Sequence, residues 1–252
     1  MTIPTKIWRF PGIQLIFWNL IALIACISFL STSAVAGSMV SLPTIERTAT
    51  IEGQSFTIPI HPEVSFGDGI LKLKVTLSLA GFQQKSSLIL QALAARKSRC
   101  ETRWSFPELA TPAVSGGRLR ISGKFRAELR LCGLIKTKLG RDTADFTLAV
   151  FPTMLPDQIS VRAELERFDL GRSLLADLGL EDELRKTIET ELNRALSGGA
   201  NLAFPAEIAA LGPRFTGIEL VDKDGTAQIA ATAEAAADPA TLLQLVRLFH
   251  NQ

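Results

Sequence analysis

Two histidines, His61 and His250, are the whole imidazole supply of the chain, and neither stands beside a nucleophile motif. His61 precedes Pro62 in a loop-like stretch, and His250 is third from the end. There is no G-x-S-x-G elbow, no H-E-x-x-H helix and no phosphate loop. The carboxylate clusters point elsewhere. Glu181-Asp182-Glu183 has the composition of a helix start, where negative charge suits the positive end of the dipole. Glu164 and Glu166 share one strand face, a spacing from which no glycosidase-type pairing can be judged. Asp222-Lys223-Asp224-Gly225 opens like a calcium loop but lacks the downstream acidic ligand, so it reads as a turn. No catalytic residue, metal ligand set or cofactor motif is expected, and the chain is expected not to be an enzyme.

Cysteine and export chemistry are more informative. Lys6 and Arg9 precede an apolar run from Ile13 to Leu30, and Ala34-Val35-Ala36 follows as an A-x-A cleavage site. This predicts a signal peptide over 1–36 and an exported, periplasmic protein. Two alternatives stay open: the run could remain as a membrane anchor, since ~20 residues span a bilayer, or Leu23-Ile24-Ala25-Cys26 could be a lipoprotein box. Beyond residue 36 the cysteines are Cys100 and Cys132, an even pair. In an oxidising compartment they are expected to pair as a structural staple. Such a bridge would be worth roughly 3–4 kcal/mol on the chain-entropy account.

The charge is uneven. Residues 85–141 carry 13 basic and 3 acidic groups, while 142–252 carry 9 basic and 18 acidic. Arg118, Arg120, Lys124, Arg126 and Arg130 fall on one face of one segment, a stripe that could attract phosphates or sugar-acid carboxylates. The alternative is that the acidic C-terminal half neutralises it through cross-strand pairs, with Arg162 or Glu164 lying against this strand. Nucleic acid is not an expected partner, because no aromatic ladder interleaves the cations and Tyr is absent.

These residues need elements to position them. Residues 37–69 predict a lead-in and one or two strands ending near Pro62, then a turn at Gly67-Asp68-Gly69. Leu71 to Leu79 alternate without error with polar residues, a strand with one wet face. Residues 86–97 are ambiguous between strand and helix, with helix favoured from Ala92. Thr102, Trp104 and Phe106 mark a strand, and Pro107 and Pro112 bracket a loop. Arg118 to Cys132 alternates over fifteen residues, a ribbon about 50 Å long at ~3.3 Å per residue. It must bend, and Gly123 is the natural place. Strands follow over 143–151 and 159–166. Leu180, Leu184, Ile188, Leu192 and Leu196 then recur every four residues as an amphipathic helix stopped at Gly198-Gly199. Asp224-Gly225 joins a final hairpin, and Asp238-Pro239 opens a last short helix.

Long one-sided strands must bury a whole apolar face, and wrapping them around the Leu-striped helix does so. The expected class is therefore α+β: a long, curved antiparallel sheet wrapped around a long amphipathic helix, plus a short C-terminal helix, in one domain over 37–252. The order of strands, helix (Asp182–Leu196), link (Phe204-Pro205) and last hairpin (Thr216–Ala233) resembles the tubular lipid-binding proteins, the superfamily of bactericidal permeability-increasing protein, and their small bacterial envelope relatives. The family pattern also has a long helix nearer the N-terminus, for which 86–97 is the available segment. The resemblance implies a groove between sheet and helix that takes acyl chains, lined by Leu119, Ile121, Phe125, Leu129, Leu184, Ile188 and Leu192. It also implies that the basic residues meet headgroup phosphates. The rival expectation is an envelope interaction or assembly module with a solid core and a basic surface strip.

Overall fold

The computed structural model describes residues 39–100, 102–131, 137–155, 158–171, 173–177, 179–199, 202–203 and 212–236. The expected export segment 1–36, Cys132 and the helix expected after Asp238 lie outside the described residues. The elements are β1 (Val40–Ser41), β2 (Ile45–Ile51), β3 (Gln54–Gly67), β4 (Ile70–Ser78), α1 (Ala80–Lys97), β5 (Thr102–Leu109), β6 (Ala113–Ser115) and β7 (Arg118–Leu131). They continue with β8 (Thr137–Met154), β9 (Gln158–Asp169), α2 (Leu174–Asp177), α3 (Glu181–Gly199), β10 (Leu202–Ala203), β11 (Arg214–Lys223) and β12 (Thr226–Ala236).

The class is α+β and every strand pairing is antiparallel. The strands are shared between two six-stranded sheets: β1-β3-β4-β12-β11 with β2 also on β3, and β10-β9-β8-β7-β5 with β6 also on β7. Two long helices, α1 and α3, pack against them. The alternation explains the faces. In β4, Leu71, Leu73, Val75 and Leu77 are buried between more exposed Lys and Thr; in β7, Leu119, Ile121, Phe125 and Ala127 are buried between Arg, Lys and Glu. Tight hairpins fix the registers. Glu52-Gly53, Asp68-Gly69 and Asp224-Gly225 all take positive φ at both residues, the turn geometry that matches strand twist.

Four differences from the sequence expectation bear on the fold. First, β3 runs through Pro62 to Gly67. The Pro62 carbonyl accepts from Leu42 N at 2.9 Å, in the gap between β1 and β2, so the missing N–H falls where the ladder is already interrupted. Second, β5 runs through Pro107. The register jumps from Ser105↔Arg126 to Glu108↔Lys124, and the proline sits in that bulge. Third, β8 extends over 18 residues, beyond 143–151 at both ends. Fourth, α1 begins at Ala80 and not near Ala92. Its buried residues Phe82, Ser86, Ile89, Leu90, Leu93 and Ala94 keep a helical stripe that a serine interrupts and Leu88, 42% exposed, blurs.

Gly123 has a different role from a simple bend. A Cβ there would lie 2.1 Å from the Glu108 carbonyl oxygen, so only glycine admits the bulged backbone of β5. Beneath it, Phe125 is the hub of an aromatic cluster, with ring centroids 5.4 Å from Trp104, 5.5 Å from Phe106 and 5.8 Å from Phe168.

Helix α3 is placed by hydrogen bonds as well as by its apolar stripe. Among the described residues, the two-residue β10 pairs one edge of β9 at Gln158 and Ile159, and no strand continues along that edge toward the C-terminal end of β9. Side chains of α3 supply what a strand would. Asn193 Oδ1 accepts from Ala163 N at 2.9 Å, and its Nδ2 donates to Ala163 O at 2.8 Å. Glu189 Oε1 accepts from Leu165 N at 2.8 Å, and Arg185 Nη2 donates to Leu165 O at 2.7 Å. These three residues are four apart, on one helix face, and they blunt an edge that would otherwise invite another strand.

Candidate functional site

Among the described residues, three apolar voids adjoin in series in the interior between the helices and the two sheets. The middle one, about 20 Å³, is enclosed by both helices and both sheets, with Ile51 of β2 and Ile121 of β7 among its walls. It shares Leu90, Leu148 and Leu192 with a second void, narrower than a water molecule, walled by Phe106, Phe125, Phe146, Phe168 and Ile188. It shares Phe82, Val150 and Leu196 with a third, about 20 Å³, bounded by Phe56, Ile58, Leu79 and Val161. The one hydroxyl in these walls, Ser86, is turned into its own helix, where Oγ donates to Gln83 O at 2.8 Å. The track is therefore dry and apolar. In size the middle and third voids each hold about one water and the second holds none, against roughly 300–1,000 Å³ for an open ligand pocket.

The lining residues expected from sequence divide across this interior. Ile121 and Leu192 wall the middle void; Phe125, Ile188 and Leu192 wall the second. Leu119 is fully buried in the core, while Leu129 and Leu184 are half-buried against it, and none of the three borders these voids. Phe82 and Leu90 of α1 and Leu148 and Val150 of β8 were not among the candidates. The α1 stripe was the available signal, with its i, i+4, i+7, i+8 spacing from Phe82.

The outer face of the second sheet carries the cations. Arg118 Nη1 lies 2.8 Å from Glu164 and 3.3 Å from Glu166, and Arg120 Nε lies 2.7 Å from Glu166. Lys124 pairs with Glu108 at 2.8 Å, and Arg130 with Glu128 at 2.8 Å. The Arg120 hydrogen bond holds the Glu166 carboxyl below its ordinary range, and the Arg130 hydrogen bond does the same for Glu128. The stripe is thus largely paired. Arg126 is the exception: it forms no ion pair among the described residues, and its buried Nε has no hydrogen-bond partner.

An ionic clasp joins the two helices. The Glu191 carboxylate of α3, only 7% exposed, receives Lys97 Nζ at 2.6 Å and Arg96 Nη2 at 3.2 Å from the last turn of α1, and Arg194 Nη1 at 2.8 Å. Arg96 Nη1 also reaches Glu52 of the β2–β3 turn at 2.9 Å. The Lys97 ammonium holds the Glu191 carboxyl below the usual carboxylate range, against the opposing effect of burial.

The remaining candidates have local roles. His61 is exposed on β3, with Nδ1 2.9 Å from Thr44 Oγ1. Asp222 Oδ1 accepts from Gly225 N at 2.9 Å, closing the last hairpin. Glu181-Asp182-Glu183 occupy the first turn of α3. Cys100 is disulfide-bonded, while Cys132 and His250 lie outside the described residues.

No family model matches the chain, and no curated protein matches it. A solved structure described as the crystal structure of lipopolysaccharide binding protein is similar to it over 79% of this chain, at 12% identity and a TM-score of 0.35. The chain spans 47% of that protein's length.

Proposed function

We propose that this is an exported, non-enzymatic cell-envelope protein that takes the acyl chain of a lipid, or another amphipathic ligand, into the seam between its helices and sheets. The observation that carries the reading is the series of three voids. Well-packed interiors hold few voids larger than a water molecule; here two of about 20 Å³ and one narrower gap adjoin along one apolar track, divided by side chains that line both neighbours. Rotation of Leu90, Leu148 and Leu192 on one side, and of Phe82, Val150 and Leu196 on the other, would join them. An entering chain would gain about 25 cal/mol per Å² of apolar area removed from water, with no polar group of the walls left unpaired.

Export belongs to the same proposal. A signal peptide cleaved after Ala36 delivers the chain to an oxidising compartment, and Cys100 pairs there with Cys132. Mass spectrometry of the purified, non-reduced protein tests both, expecting an N-terminus at Gly37 and a mass two hydrogens short of the dithiol form. The ligand is tested by organic-solvent extraction followed by lipid mass spectrometry, and by uptake of a fluorescent fatty acid. Co-purifying lipid or saturable uptake supports the reading; neither, in a folded preparation, removes it.

The small size of each void favours a second reading, an interaction or assembly module whose core stays solid and whose outer face meets its partner. Failure of both lipid assays alongside retained binding to envelope components would select it.

A further inference from the structure

The strand registers place five cations around one carboxylate on the outer face of the second sheet. Arg103 of β5, Glu128 of β7 and Arg141 of β8 lie in one cross-strand row. Arg126 and Arg130 stand two residues either side of Glu128 on β7, and Lys138 lies opposite Arg130. Both carboxylate oxygens of Glu128 are engaged, one by Arg130 at 2.8 Å and one by Lys138 at 3.5 Å. Arg103, Arg126 and Arg141 form no ion pair among the described residues. The carboxylates on this face closest to Arg126 in the other direction, Glu108 and Asp145, flank Lys124. At the opposite end Arg118 and Arg120 are matched by Glu164 and Glu166. The stripe is therefore neutral at one end and cationic at the other.

The cationic end is shaped for an oxyanion. Strands about 4.8 Å apart and alternate residues about 7 Å apart put the three guanidinium stems within reach of one tetrahedral anion. Arg126 stands between Ser105 and Thr143 in the register, two hydroxyls that can donate beside it. Clustered like charges repel one another, and an oxyanion receiving charge-assisted hydrogen bonds from Arg relieves that repulsion. We propose that Arg103, Arg126 and Arg141 form a binding site for a phosphate group, either free or borne on a lipid headgroup. The site is on the solvent side of the sheet and does not depend on the interior seam.

The full-length protein is titrated with inorganic phosphate by calorimetry, and sedimented with phosphatidylcholine vesicles with and without phosphatidylglycerol. Saturable phosphate binding identifies the free anion. Binding only to the phosphatidylglycerol vesicles identifies the headgroup. In either case Arg126→Gln alone should weaken binding about tenfold, and the Arg103→Gln/Arg126→Gln/Arg141→Gln protein should abolish it. Arg118→Gln, at the paired end, should leave it unchanged, and Glu128→Gln should tighten it by removing the negative charge that lies among these cations in the described residues. Higher salt should weaken it throughout. Binding of neither probe, binding indifferent to Arg126→Gln, or an equal loss in Arg118→Gln would overturn the proposal.

Discussion

Glu191 shows how one side chain can hold two helices. It is almost completely buried yet charged, because Lys97, Arg96 and Arg194 converge on it from partly exposed positions. Its folded pKa lies below the unfolded value of about 4.3. Its contribution to stability is therefore present in full above that value and is lost as pH falls through the lower folded value. Glu191→Gln should cost about 1–2 kcal/mol at neutral pH, seen as a melting temperature roughly 2–8 °C lower. The gap between variant and parent should close in acid, where the parent carboxyl is also neutral; a gap that persists there would mean the loss is one of packing. Gly123 is a second single-residue control point. Gly123→Ala sets a methyl carbon 2.1 Å from the Glu108 carbonyl, and overpacking of this kind costs about 1–3 kcal/mol. Denaturant unfolding should show a lower midpoint, and amide shifts should localise the change to the β5 bulge.

At the scale of elements, the telling contact is α3 against the edge of β9. Asn193→Ala removes both hydrogen bonds to Ala163 and leaves a backbone N–H and C=O without protein partners. A loss of about 1–3 kcal/mol follows. Amide exchange should accelerate at Ala163 while the β7–β8 ladder stays protected; uniform acceleration would contradict an edge-capping role. Strand existence was legible in the sequence wherever one face is wet, as in 71–78 and 118–131, because alternation records burial directly. The Asp224-Gly225 hairpin was legible because its turn needs positive φ at both residues. Helix α1 was half-legible: Ser86 sits in its buried stripe with its hydroxyl satisfied internally, so polarity and burial disagree there. The continuations through Pro62 and Pro107 were hidden, since a strand gap and a bulge in neighbouring segments are what make a proline tolerable.

At the scale of the molecule, the sequence carried the class and the two-faced strands. It did not carry the division into two sheets, nor which wall faces which. Leu148 and Val150 read as ordinary strand residues; only the packing of both sheets onto α1 and α3 makes them partitions between voids. The charged face follows the same logic. The cations were visible as a stripe, but which remain unpaired depends on the β5–β7–β8 register. If the interior seam admits a ligand, filling it should exclude that ligand. Ala195, on the wall of the middle void, is the place: Ala195→Leu should reduce fatty-acid uptake while keeping the fold, as read by circular dichroism. Ligand uptake by the seam requires that the partitions yield to an apolar chain. Methyl-resolved NMR of the protein titrated with a fatty acid should show saturable shifts at Leu90, Leu148, Val150, Leu192 and Leu196, with the outer strand faces unmoved. Titration to saturation with those methyl resonances unchanged would contradict it.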